Sequence, residues 1–180
     1  LTGYKDEAHL LSEIEKLDFS KPSQVTFLPY LSGERTPHNN PNAQGVFFGL
    51  GHNTDSAELG RAVLEGIAFA FADAQQAILA AGTKIDTVSV IGGGSVSPLW
   101  GKILASVLNK PLTYRHGGEV GPAYGAARLA KIGVNSQAAR EVCVAPKVKY
   151  VIKADATMSA YYFQQHFKYQ QLYQSLKAHF

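Results

Sequence analysis

Cysteine is almost absent: Cys143 is the only one among 180 residues. A single thiol leaves no partner for an internal disulfide, excludes a cysteine-rich metal site and fits a reducing compartment. Basic runs are missing too, because no two of the 17 Lys and Arg residues are adjacent. That removes the basic stripe selected by phosphate backbones and argues against nucleic-acid binding. Fourteen acidic residues offset the 17 basic ones, leaving a formal charge of only +3. No uninterrupted apolar run approaches the roughly 18 residues of a membrane helix, and no signal-peptide pattern opens the chain. These absences set the expectation of a soluble, cytoplasmic chain with neither a membrane nor a nucleic-acid partner. An initiator methionine is also lacking. The chain opens "LTGYKDEAHLL", part-way into a helix-like pattern, as an excised segment would.

What is present is ordered in α/β fashion. Leu10, Leu11, Ile14 and Leu17 share one helical face. "VTFLPYLSGERTPHNNPNAQG" then reads as mostly loop, with three prolines and three asparagines, and "GVFFGLG" reads as a short strand entering a turn. Asp55 or Ser56 is placed to cap a helix running to about Ala81. Leu59, Val63, Ile67, Ala70, Ala74 and Ile78 keep its 3.6-residue period. Ala62, Gly66 and Ala77 beside that stripe suggest a close backbone approach. "TVSVIGG", "SPLWGKILASVLN", "PLTYRH" and "VGPAYGAARLAKIG" alternate strand, helix, strand and helix, which argues for parallel pairing. Residues 155–180 read as a helix with Tyr162, His166, Tyr169, Tyr173, Leu176 and Phe180 on one face, packed by its aromatics.

The chemistry-bearing feature is "VIGGGSVSPLW". Three successive glycines at a strand-to-helix turn remove every side chain from its mouth, and the helix start that follows presents free amides to an anion. The motif is neither a full dinucleotide fingerprint nor an ATP-binding GxxxxGK[ST] loop, so nucleotide contact and simple tight packing both remain open. A second turn, "HGGEVGPAYGAARLA", repeats the arrangement with glycines at 117, 118 and 121. Adjacent turns at the carboxyl ends of strands are where open α/β sheets collect ligands. Ala123, Gly125, Ala126 and Ala127 would permit the helix after it to pack closely. In "LSGERTPHNN", Arg35 either pairs with Glu34 to pin the loop or faces a carboxylate or phosphate.

No catalytic base emerges. Asp55, Glu58, Glu65, Asp73, Asp86 and Glu119 are dispersed. Asp55, Glu58 and Asp73 read as cap or surface residues of their helix, and Glu119 sits in a glycine turn without a partner base. The six histidines lack metal-ligand spacing: five are isolated and His38 lies in a loop.

Four stretches together resemble the C-terminal domain of the FGGY carbohydrate kinases. They are "FLPYLSGERTPHNNPNAQGVFFGL", "ELGRAVLEGIAFA", "VIGGGSVSPLW" and "GGEVGPAYGAARLA", and the likeness is strong over residues 24–134. The family's second signature runs from Gly45 through "VFFGL", a seven-residue gap and "ELGRAVLE" to Glu65. Within the family, the "GERTPH" loop and the "GGEVGPAYGAARLA" ending are most similar to the bacterial kinases of D-xylulose. The resemblance implies an actin-like, ribonuclease-H-like α/β fold, with residues 1–180 forming the C-terminal part of the second, nucleotide-binding domain. It further implies ATP and Mg2+ as cofactors, a ketopentose held mainly by a separate N-terminal domain, and possible homo-oligomers. It places Gly92, Gly93 and Gly94 against the nucleotide. Ser97 stands where some relatives carry an adenine-contacting asparagine, and the Gly117–Gly121 turn becomes structural support. The family's catalytic aspartate precedes this region, so no catalytic residue and no metal ligand is assigned here, and no turnover is expected of this chain alone. Related kinases of glycerol, gluconate or ribulose, and a non-catalytic actin-like module, are the alternatives.

Overall fold

The structure, a computed structural model, describes residues 4–135 and 138–180. Helix α1 (Glu7–Ile14) begins at Asp6, whose carboxylate accepts the His9 amide at 2.8 Å. Residues 4–6 are therefore outside the helix, which corrects the expectation that the chain opens inside one; residues 1–3 lie outside the described residues.

Strands β1 (Thr26–Pro29) and β2 (Gly45–Phe48) pair antiparallel, with Phe27 opposite Phe47. The sequence reading placed β1 inside a loop. Its partner defines it, since four residues ending in a proline carry little strand signal of their own. Helix α2 (Ser56–Ala80) follows, with Asp55 accepting the Glu58 amide at 2.8 Å as its cap.

The second half is a three-stranded sheet ordered β3 (Val88–Val90), β4 (Leu112–Arg115), β5 (Val148–Ile152). β3 and β4 run parallel, joined through helix α3 (Pro98–Leu108), as the alternation predicts; β5 lies antiparallel to β4. α3 ends at Asn109, which adopts the left-handed conformation asparagine tolerates, and its amide returns to Ala105 O. Helices α4 (Pro122–Asn135) and α5 (Ala139–Val142) follow β4. Helix α6 (Ala156–Leu176) is capped by Asp155 and packs on α3, α2 and β1.

The core joins Leu28, Phe69, Ile103, Leu104, Leu112, Tyr162 and Tyr169. The aromatic face predicted for α6 is real, with Tyr162, His166, Tyr169 and Tyr173 all buried. The face of α2 is rotated from its predicted position. Ile67 and Ala74 are only half-buried and Ile78 is exposed, while Arg61, Glu65, Phe69, Ala72 and Asp73 are buried. Hydropathy patterning discounts charged residues, so it cannot centre a stripe on them.

Two further expectations change with α2. By length and composition it is apolar enough to cross a membrane, although no uninterrupted apolar run in the sequence suggested it. Here it is a core helix, with an ion pair and an Asp–His pair on its buried side. Asp73 is accordingly no surface residue, and His166 is not isolated: its Nε2 donates to Asp73 Oδ1 at 2.8 Å.

Gly66 makes the close approach the sequence suggested. A β-carbon built there would overlap the carbonyl oxygen of Phe27 on β1. Backbone cannot swing aside as a side-chain tip can, so Gly66→Ala should destabilise by at least the about 1–3 kcal/mol typical of overpacking. Urea unfolding would measure it, and an unchanged midpoint would contradict this packing of α2 on β1.

Candidate functional site

The two glycine turns face each other. After β3, Gly92 adopts φ +90°, a conformation strained for any side chain, and its amide donates to Gly118 O of the second turn at 2.8 Å. Gly93–Val96 then make one 3-10 turn, and Ser97 begins α3 by accepting the Trp100 amide on its Oγ at 3.2 Å. After β4, Gly117 turns the chain, Gly118–Val120 make a matching 3-10 turn, and α4 starts at Pro122. A β-carbon on Gly121 would sit 3.6 Å from the Cα of Gly92. Both turns leave the carboxyl ends of the parallel pair β3 and β4, the position predicted for ligand collection.

Gly93 separates the two readings left open by the sequence. Its φ is not positive, and a β-carbon built on it would meet no heavy atom within 4 Å. Neither backbone conformation nor packing within the described residues accounts for a glycine there. Gly92 is explained by its φ, and a β-carbon built on Gly94 would meet the Trp100 ring at 3.4 Å.

Beside the turns opens a cleft of about 180 Å³, bordered by Val90, Val96 and Glu119 on the turn side. Tyr114 and Arg115 of β4 and Lys149 and Tyr150 of β5 form its other wall. Two cations against one carboxylate favour an anionic ligand. Arg115 is held by donating Nη1 to Pro146 O at 2.8 Å. The Tyr114 and Tyr150 rings stack at 4.6 Å, and burial raises the Tyr114 phenol above its ordinary pKa. At this size the cleft is smaller than the about 300–1,000 Å³ of complete ligand pockets, so it suits one edge of a ligand.

The sequence reading missed Arg115, Lys149 and Tyr150. The alternation in "KVKYVIK", with Val148, Tyr150 and Ile152 on one side and Lys147 and Lys149 on the other, was the signal that marks β5 as a strand.

Other candidates fall elsewhere. Arg35 is exposed and makes no ion pair with Glu34 among the described residues, which overturns the expected loop salt bridge. Glu34 pins the loop by itself: its carboxylate accepts the His38 amide at 2.8 Å, and its backbone exchanges two bonds with Asn40. The tight packing expected of α4 is not found either. The helix has no buried residue, and nothing lies within 4 Å of a β-carbon on Gly125. Among the described residues no group of three or more His, Cys, Asp or Glu stands together to hold a metal ion.

Residues 4–134 match the FGGY family of carbohydrate kinases, C-terminal domain. The chain is 51% identical over 137 residues to the xylulose kinase of Escherichia coli (strain K12), covering 76% of this chain and 28% of that protein. It is 43% identical over 178 residues to the xylulose kinase of Klebsiella pneumoniae, covering 98% and 36%. The crystal structure of a xyloylose kinase from Brucella ovis superposes with a TM-score of 0.83 at 40% identity, covering 95% of this chain and 35% of that one. The chain thus spans about a third of the length of the relatives it matches.

Proposed function

We infer that this chain, which belongs to the FGGY family of carbohydrate kinases, forms the nucleotide-side wall of an ATP-dependent sugar kinase acting on D-xylulose. Its fold is the α/β fold of that family's kinases. We assign residues 1–180 to the C-terminal part of an actin-like, ribonuclease-H-like nucleotide-binding domain. The observation that carries the reading is Gly93, a bare position in an opposed pair of turns with no reason for its bareness among the described residues.

Each turn residue then has a role. Gly92 bends the chain out of β3, and its bond to Gly118 fixes the spacing of the two turns. Gly93 and Gly94 let a flat, phosphate-bearing ligand approach backbone without obstruction. Ser97 caps the first turn of α3 by accepting the Trp100 amide on its Oγ, and its hydroxyl can still donate to the ligand. Arg115 and Lys149 add positive charge at the same edge.

The complete enzyme transfers the γ-phosphoryl of ATP to the C5 hydroxyl of the ketose, a reaction catalysed mainly by positioning and charge stabilisation. Bound Mg2+ would neutralise charge on the phosphates of the nucleotide. The sugar is held mainly by a separate N-terminal domain, which decides sugar choice among family members, and the base that activates its hydroxyl precedes this region, near the start of the nucleotide-binding domain.

A chimaera tests the assignment. With residues 4–180 replacing the matching segment of the Klebsiella pneumoniae xylulose kinase, D-xylulose-dependent ADP formation should persist. A folded but inactive chimaera would favour a non-catalytic module.

A further inference from the structure

Glu119 is the only charged side chain within residues 91–97 and 117–121, the two glycine turns. Its backbone is pinned. It sits in the Gly118–Val120 3-10 turn between Gly117 at φ +74° and Gly121 at φ +60°. The carbonyl of Gly118 beside it accepts the Gly92 amide at 2.8 Å. The side chain is exposed and borders the cleft of about 180 Å³ beside the turns. Arg115 and Lys149 border the same cleft, yet Glu119 pairs with neither among the described residues. Arg115 donates to Pro146 O instead. The carboxylate is thus held open as an acceptor, and an acceptor-only group takes donors alone.

We propose that Glu119 accepts the 2′- and 3′-hydroxyls of the nucleotide's ribose, and so selects nucleotides that carry the full diol. The proposal rests on the nucleotide being held at the glycine turns, as inferred above. A ligand at this edge has to satisfy two cations and one carboxylate at once. Phosphate answers the cations and is repelled by the carboxylate, whereas the ribose next to it brings two hydroxyl donors together. Two carboxylate oxygens can take both of them. Adenine's exocyclic amine is the other donor, but it lies at the end of the nucleotide away from the phosphates. Glu119 instead shares its cleft with both cations. The cleft is also too small for a whole nucleotide and suits a single ring. An acidic side chain on the ribose is a known solution in nucleotide-binding α/β folds.

ADP and 2′,3′-dideoxy-ADP are the probes, each titrated calorimetrically into the 180-residue chain. ADP should bind about tenfold tighter or better, the worth of hydrogen bonds to a charged group. Glu119→Ala should erase that preference by weakening ADP alone. The dideoxy analogue should bind the variant at least as well as the parent chain, because a like charge near its phosphates is gone. Glu119→Gln keeps an acceptor oxygen without the charge and should fall between the two. The side chain is exposed, so neither variant should shift the melting temperature. Equal affinity of the parent chain for both probes would overturn the proposal and leave the nucleotide at the turns. Equal loss of both probes in Glu119→Ala would overturn it too, since that marks a structural role. A folded chain that binds neither probe would remove the nucleotide from the turns, and the proposal with it.

Discussion

Arg61→Ala should lower the stability of the chain by about 3–5 kcal/mol, the cost of leaving one member of a buried ion pair alone. Arg61 is 2% exposed and Glu65 3%. The guanidinium Nε donates to Glu65 Oε1 at 2.7 Å, and its other nitrogens donate to the carbonyls of Asp18 and Lys21. The Phe19 ring lies 4.4 Å beneath it. One residue thereby clamps the segment after α1 onto α2. Burial pushes the Glu65 carboxyl up, and Arg61 and the Tyr162 hydroxyl draw it back only in part.

Without Arg61 the carboxylate is buried and unpaired, so its folded-state pKa rises further above the unfolded value. The penalty is then fully present above that raised pKa and is relieved as pH falls through it, when Glu65 takes up a proton. Chemical denaturation across the acidic range should show the variant's deficit narrowing as pH falls. The double variant Arg61→Met, Glu65→Leu should lose less than Arg61→Ala, because no lone charge remains. A deficit below about 1 kcal/mol, the range of an exposed pair, would mean the pair is not buried.

Gly93→Val is the second large effect, on binding rather than on stability. The position is exposed, its φ is not positive, and its β-carbon direction is empty, so the melting temperature should not move. A branched side chain would occupy the space that the proposed function gives to the nucleotide, and ADP affinity should fall at least tenfold in calorimetric titration. Unchanged affinity with unchanged stability would remove the nucleotide from this turn.

These two positions show what the sequence made legible. Strand–glycine–helix punctuation placed β3, α3, β4 and α4 to within a few residues, because turn chemistry is local. The capping of α2 by Asp55 was readable for the same reason. Arg61, Glu65, Asp73 and His166 were not, since apart from the Arg61–Glu65 pair within α2 their partners lie on other segments: Asp18 and Lys21 precede α2, while Tyr162, His166 and Gln170 lie more than ninety residues beyond the α2 side chains they bond. A charged residue in a helical pattern reads as solvated until the group that neutralises it is located in space. The glycine turn was legible as a motif, whereas the cations beside it needed the antiparallel β5 to bring Lys149 next to Arg115.

Nucleotide binding at the two turns is tested most directly by hydrogen–deuterium exchange with and without ADP. Protection concentrated in residues 91–97 and 117–121, with Lys149 at its edge, is the predicted result. No ADP-dependent protection at either turn in a folded chain, or protection confined to other segments, would contradict it.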